Sequence, residues 1–155
     1  MFQLMAISDE RRDPRGAIEQ MLAGCTDAGV ALQLRRKQSS PRALLELARW
    51  ARPLCRRAGV TLLINDRADV ALLCEADGVH LPERGLAVAQ ARKLLGPQAI
   101  IGRSCHDREG LRAAEAQGAS YATLSPVFSS PGKGPVLGTQ GFTQRIQGLH
   151  LPHRS

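Results

Sequence analysis

Short apolar runs alternate along this chain with longer segments in which apolar side chains recur at helical spacing. The runs "FQLMAIS" from Phe2, "VALQL" from Val30, "VTLLIND" from Val60, "DGVHL" from Asp77, "AIIGRS" from Ala99 and "YATLS" from Tyr121 read as six strands. Between them the spacing predicts a helix from about Pro14 to Ala28, a short one ending at Cys74, one from about Leu86 to Leu95 and one from Asp107 to Gly118. The strongest helical segment is "SSPRALLELARWARPLCRRAG". There Ser40 can cap, Pro41 sits in the first turn, Leu44, Leu47 and Leu54 lie on an apolar stripe, and Gly59 ends the helix. A weak helix, "FTQRIQG", starts at Phe142.

Strand followed by helix, six times over, predicts parallel βα units in one domain. A closed barrel of such units takes eight, over at least about 200 residues, so this pattern stops two units short of a (β/α)8 TIM barrel. A six-stranded open α/β sheet is the alternative. The barrel is favoured because polar residues gather at the C-terminal ends of the strands, where barrel chemistry converges: Gln33, Arg35 and Lys37; Asn65 and Asp66; Ser104 and His106; Ser125. The loop from Pro126 to Gly141, rich in Gly, Pro and Ser, is long enough to be either functional or disordered.

Composition narrows the class. With 43% hydrophobic and 23% charged residues the chain has the balance of a soluble globular protein. No apolar run approaches the roughly 20 residues that span a bilayer, so no membrane role is expected. The start, "MFQLMAISDERRD", lacks the basic and long apolar regions of a signal peptide, and a cytoplasmic location is the expectation. Cys25, Cys55, Cys74 and Cys105 are widely separated, which predicts reduced thiols rather than disulfides or a zinc site. A net charge of +7 points toward nucleic acid. The basic residues are dispersed through amphipathic segments, however, and 3% aromatics leaves few stacking platforms, so no nucleic-acid role is expected. Arginine outnumbers lysine 18 to 3, which makes arginine the general surface cation and each lysine worth locating.

The stretch "ALQLRRK" carries three cations at a strand end. Alternation along the strand places Gln33, Arg35 and Lys37 on one face, a row of donors suited to phosphate oxygens. A strand running out into a solvated basic loop is the simpler reading. Asp66 is either an N-cap for the next helix or an oxygen ligand for Mg²⁺. Ser104 either donates to phosphate or caps a helix, and His106 is either a proton shuttle or an ordinary helix-start residue. Lys133, in "SSPGKG", can meet an anion alongside the backbone N–H groups of its glycines, although the spacing is not that of a Walker A loop. His80, His150 and His153 carry no evident signal.

Taken in order, "LQLRRK", "LLINDR", "ADGVHLPERGL", "IIGRSCHD" and "GASYATLSPVFSSPGKGPVLGTQGF" resemble the thiamine-phosphate synthase and thiazole tautomerase family of (β/α)8 barrels, from Phe2 to about Phe142. The resemblance implies that Gln33, Arg35 and Lys37 bind the diphosphate of an aminopyrimidine substrate. It implies that Asn65 and Asp66 help to bind that substrate and Mg²⁺, with Asp66 as the metal ligand. Ser104 matches the serine after strand five, and Ser130 and Lys133 match a Thr-x-x-Lys pattern in the long loop; Lys133 and His106 are the implied catalytic groups. The implied reaction joins 4-amino-2-methyl-5-hydroxymethylpyrimidine diphosphate to thiazole phosphate with release of pyrophosphate.

Three departures qualify what the resemblance implies. Gly85 stands where the synthases place a second acidic Mg²⁺ ligand, leaving Glu83 as the nearest substitute. Arg103 and His106 in "GRSCHD" are closer to the tautomerase branch, whereas Asn65 and Asp66 are closer to the synthases. The family also continues into a seventh and an eighth strand, and here "GLHLP" is only the run-in to the seventh. The resemblance therefore implies a barrel lacking its last two βα units, with an open edge through which copies could associate. A tautomerase-like relative and an inactive fragment that binds only the pyrimidine diphosphate are the alternatives.

Overall fold

A computed structural model of the chain describes residues 2–8, 13–25, 29–128, 136–150 and 153–154. Strands and helices alternate in the order β1 (Leu4–Ile7), α1 (Pro14–Ala23), β2 (Val30–Leu34), α2 (Pro41–Ala58), β3 (Thr61–Asn65), α3 (Ala68–Leu73), β4 (Gly78–Leu81), α4 (Val88–Leu95), β5 (Ile100–Cys105), α5 (Arg108–Ala116), β6 (Tyr121–Leu124), α6 (Gly138–Ile146) and β7 (His153–Arg154). The six expected strands are present. The seventh, which the sequence showed only as a run-in, begins at His153 and pairs in parallel with β6. The chain divides into two compact units, Met1–Val79 and His80–Ser155.

In the first unit β1, β2 and β3 pair in parallel, with Leu32 opposite Leu62 and Gln33 opposite Leu63. Parallel strands covered by helices are apolar on both faces, and Ala31, Leu32, Leu34, Leu62, Leu63 and Ile64 are all buried. Helix α2 covers β2 and β3 with Leu44, Leu47, Ala48, Ala51 and Cys55. Leu54, expected on that stripe, is only half-buried. The predicted cap is present: the Ser40 hydroxyl accepts the Ala43 N–H at 3.2 Å, and Gly59 ends the helix in the left-handed region at φ 66°. The helix continues through Pro53, whose missing N–H removes one ladder bond near an end already secured by Gly59.

One ion pair fastens α2 to the start of β3. Arg52 meets Asp77 through both guanidinium NH₂ groups at 3.0 Å, and Asp77 Oδ2 also accepts the Leu62 N–H at 2.7 Å. Leu62 lies near the N-terminal end of its strand, the end that serves stability in βα folds.

In the second unit β5 and β6 pair with Gly102 opposite Tyr121 and Ser104 opposite Thr123. Helix α5 packs on both strands through Leu111 and Ala114. Arg92 of α4 gathers acceptors around the N-terminal ends of β5 and β6: the carbonyls of Pro97, Ala99 and Gly118 and the Ser120 hydroxyl. Arg103 donates to the carbonyls of Leu86 and Glu83, and Arg108 to those of Gln144 and Gln147. Arginine is therefore an internal brace here as well as a surface cation, which corrects the expectation from composition. Cys25, Cys55, Cys74 and Cys105 are free, and burial pushes the Cys55 and Cys105 thiols up to about 11, so these two act as packing groups.

Candidate functional site

The first unit places Gln33 and Asn65 together at the C-terminal ends of β2 and β3. Gln33 is 2% exposed and donates from Nε2 to Asn65 Oδ1 at 2.8 Å. That contact engages the Asn65 amide through its oxygen. The Gln33 carbonyl oxygen is buried and has no hydrogen-bond partner among the described residues. Burying an acceptor in this state costs about 1–3 kcal/mol, a cost that a ligand donor would relieve.

The row of alternating polar residues is not formed. Strand β2 ends at Leu34, and the chain then leaves extended pairing, so the pleat does not set the directions of Arg35 and Lys37. Arg35 is half-buried and its backbone is held by Ser8, whose hydroxyl accepts the Arg35 N–H at 2.9 Å. Arg36 turns to the Ser39 hydroxyl at 3.1 Å within the following turn, and Lys37 is exposed there. The two site cations therefore follow the strand, as in the simpler reading.

Asp66 occupies a tight turn. The Arg67 N–H donates to the Asn65 carbonyl at 2.8 Å, and Asp66 at its apex takes φ 64°, a left-handed conformation that disfavours side chains. The N-cap position of α3 is Arg67, with no side-chain cap, so the capping role weighed for Asp66 is not what is found. Its carboxylate is exposed instead. Arg67 is drawn to Asp69 by a two-point contact that holds the Asp69 carboxyl below its ordinary value.

In the second unit Asp107 caps α5 by accepting the Gly110 N–H at 2.8 Å, which removes the capping and helix-start roles from Ser104 and His106. His106 donates from Nδ1 to the Ser125 carbonyl at 2.6 Å, and its Nε2 lies 3.9 Å from Glu83. Glu83 thus faces the histidine. Arg103 is committed to backbone carbonyls, so it braces the loop after β4. Ser130 and Lys133 lie outside the described residues.

Sequence reasoning passed over His80. It is 5% exposed on β4, and its ring nitrogens lie 2.8 Å from Tyr121 Oη and 2.9 Å from Ser104 Oγ. Burial, and to a lesser extent repulsion from Arg103, lowers its pKa to about 4. The available signal was a lone polar residue between Val79 and Leu81 in an otherwise apolar strand, a position that requires buried partners.

A cleft of about 300 Å³ beside α4 and α5 is lined by Glu83, Asp107 and Glu109 against a single cation, Arg103. Ser104 lines the same cleft, where Arg103 stands against the three carboxylates. Among the described residues no group of three or more His, Cys, Asp or Glu side chains could hold a metal by itself. No described helix is long and apolar enough to cross a membrane.

Comparison with known proteins identifies what this arrangement belongs to. The family model described as thiamine monophosphate synthase matches residues 4–153. A relative from Geobacter sulfurreducens is 45% identical over 97% of this chain and 73% of its own length. Chlorobium luteolum thiamine-phosphate synthase is 40% identical over 96% of this chain and 70% of its own. The solved structure of a thiamine phosphate pyrophosphorylase from Pyrococcus furiosus matches with a TM-score of 0.86 and 29% identity, covering 98% of this chain and 73% of that one. The fold is accordingly that of the TIM-barrel class, and the chain belongs to the thiamine monophosphate synthase family.

Proposed function

We propose that this chain is a thiamine-phosphate synthase-like enzyme that joins 4-amino-2-methyl-5-hydroxymethylpyrimidine diphosphate to a thiazole phosphate and releases pyrophosphate. The observation that carries the reading is the Gln33–Asn65 pair. It offers one buried acceptor with no partner among the described residues beside the Asn65 amide, a combination suited to a heteroaromatic ring bearing an amino group. In this reading Arg35 and Lys37 contact the diphosphate, and Ser104, Ser130 and Lys133 are phosphate-binding groups.

The chemistry needs no protein nucleophile. As the C–O bond to the diphosphate breaks, the aminopyrimidine spreads the positive charge, and the thiazole nitrogen supplies the electron pair of the new C–N bond. The barrier falls when the leaving pyrophosphate meets fixed cations and donors. The exposed Asp66 carboxylate suits Mg²⁺, which commonly takes one or two carboxylates and fills its remaining positions with water and substrate phosphates. Bound there, Mg²⁺ would neutralise charge on the leaving group. The cytoplasm, which keeps thiols reduced, suits the four free cysteines.

His106 supports a second reading, a thiazole tautomerase. Its Nδ1–H is anchored on Ser125 and its Nε2 faces Glu83, an arrangement able to carry a proton. The test is to incubate the pure chain with both substrates and Mg²⁺ and to measure thiamine phosphate and pyrophosphate. Equal amounts of the two, lost on chelation and in Gln33→Leu, are expected. Tautomerisation that survives the chelator and disappears in His106→Ala would establish the second reading. Binding of the pyrimidine diphosphate without turnover would leave a binding module.

A further inference from the structure

We propose that His80 is a positioning residue for Ser104: held by Tyr121 as the Nε2–H tautomer, it donates to the serine oxygen and turns the serine proton toward the ligand. The inference deepens the synthase reading and rests on it for the identity of that ligand, an anionic phosphate oxygen.

A neutral imidazole has one donor and one acceptor. With Tyr121 Oη at Nδ1 and Ser104 Oγ at Nε2, only two arrangements are open. Either the tyrosine donates to Nδ1 and Nε2–H donates to the serine, or both bonds run the other way. A phenol is a far stronger acid than an alkyl hydroxyl and so the better donor, whereas the alkyl hydroxyl oxygen is the better acceptor. Both preferences select the first arrangement. The lowered pKa of His80 keeps the ring neutral, so that it has one nitrogen of each kind.

The consequence falls on Ser104. Its oxygen is engaged from the buried side by Nε2–H, so its own proton points away from His80. Ser104 is half-exposed, whereas His80 and Tyr121 are buried, so the proton is offered on the accessible side. In the opposite arrangement the serine would spend its proton on Nε2 and present only lone pairs to a phosphate. The tyrosine is itself seated by Gly102, its register partner, where a Cβ would stand 2.1 Å from the ring Cζ.

Nitrogen-15 NMR of the folded chain reads the tautomer directly: a protonated Nε2 and a pyridine-like Nδ1 are expected at His80, and the reverse pattern would overturn the proposal. Kinetics then test the consequence. Tyr121→Phe should lower kcat on the order of tenfold with little change in KM for the diphosphate, because the affected donor acts on charge that grows as the leaving group departs. In a Ser104→Ala background the same substitution should have no further effect. Equal fractional losses in both backgrounds would mean that Tyr121 is merely structural and would sink the idea. A wild-type chain that makes no thiamine phosphate would defeat the functional reading alone, leaving the tautomer to be decided by the spectrum.

Discussion

Gly102 and Tyr121 face each other across β5 and β6 so closely that the tyrosine ring fills the space a Cβ at position 102 would need. The ring is fully buried, so it has nowhere to withdraw. Gly102→Ala should therefore destabilise the fold by about 1–3 kcal/mol, the usual range for overpacking. Urea denaturation measures this, and Tyr121→Phe should not relieve it, because the clash involves ring carbons as well as the hydroxyl.

His80 links stability to pH. Its folded pKa of about 4 lies below the roughly 6.5 of an exposed histidine, so the unfolded chain takes up the proton first as pH falls. The stability it contributes is complete above about pH 6.5 and declines as pH drops toward 4, by about 3 kcal/mol in all. Denaturation curves at about pH 4.5 and about pH 7 should show a smaller difference in His80→Gln than in wild type. An equal difference would place the titration elsewhere.

Asp66 sets stability against activity. Glycine tolerates the left-handed conformation of that turn without steric strain, so Asp66→Gly should leave the melting midpoint unchanged or raise it by the equivalent of up to about 1 kcal/mol. The same change removes the carboxylate proposed for Mg²⁺, and product formation should collapse. A variant that is both inactive and clearly less stable would indicate that the carboxylate also holds the turn.

Asp77 should matter only for folding. Asp77→Ala leaves Arg52 and the Leu62 N–H without their acceptor, at a cost of about 2 kcal/mol, given that both side chains are only partly exposed. Arg52→Ala in the Asp77→Ala background should add much less than it does alone, and KM values should not move. The double-mutant comparison in urea measures the coupling.

Much of the fold was legible because its signals are local. Six apolar runs, Ser40 before Pro41, and Gly59 after a helical stripe all report on their own segments. Polar residues at strand ends were legible as well, as at Gln33, Asn65 and Ser104. Alternation was carried past the strand's end: pairing stops at Leu34, so the pleat does not set the directions of Arg35 and Lys37. His80 was missed as well. Its meaning depends on Tyr121 and Ser104, 41 and 24 residues away, brought to it by neighbouring strands.

The arginine braces also bear on how substrates arrive. Arg92, Arg103 and Arg108 are held by carbonyl and hydroxyl oxygens, which orient a cation without cancelling it. A carboxylate partner would have turned each into a neutral pair. These side chains stiffen the scaffold without being neutralised locally, and the chain as a whole carries a formal net charge of +7, which gives it a long-range field. Such a field draws in multiply charged anions, and it makes encounter with a diphosphate faster in dilute buffer than in salt.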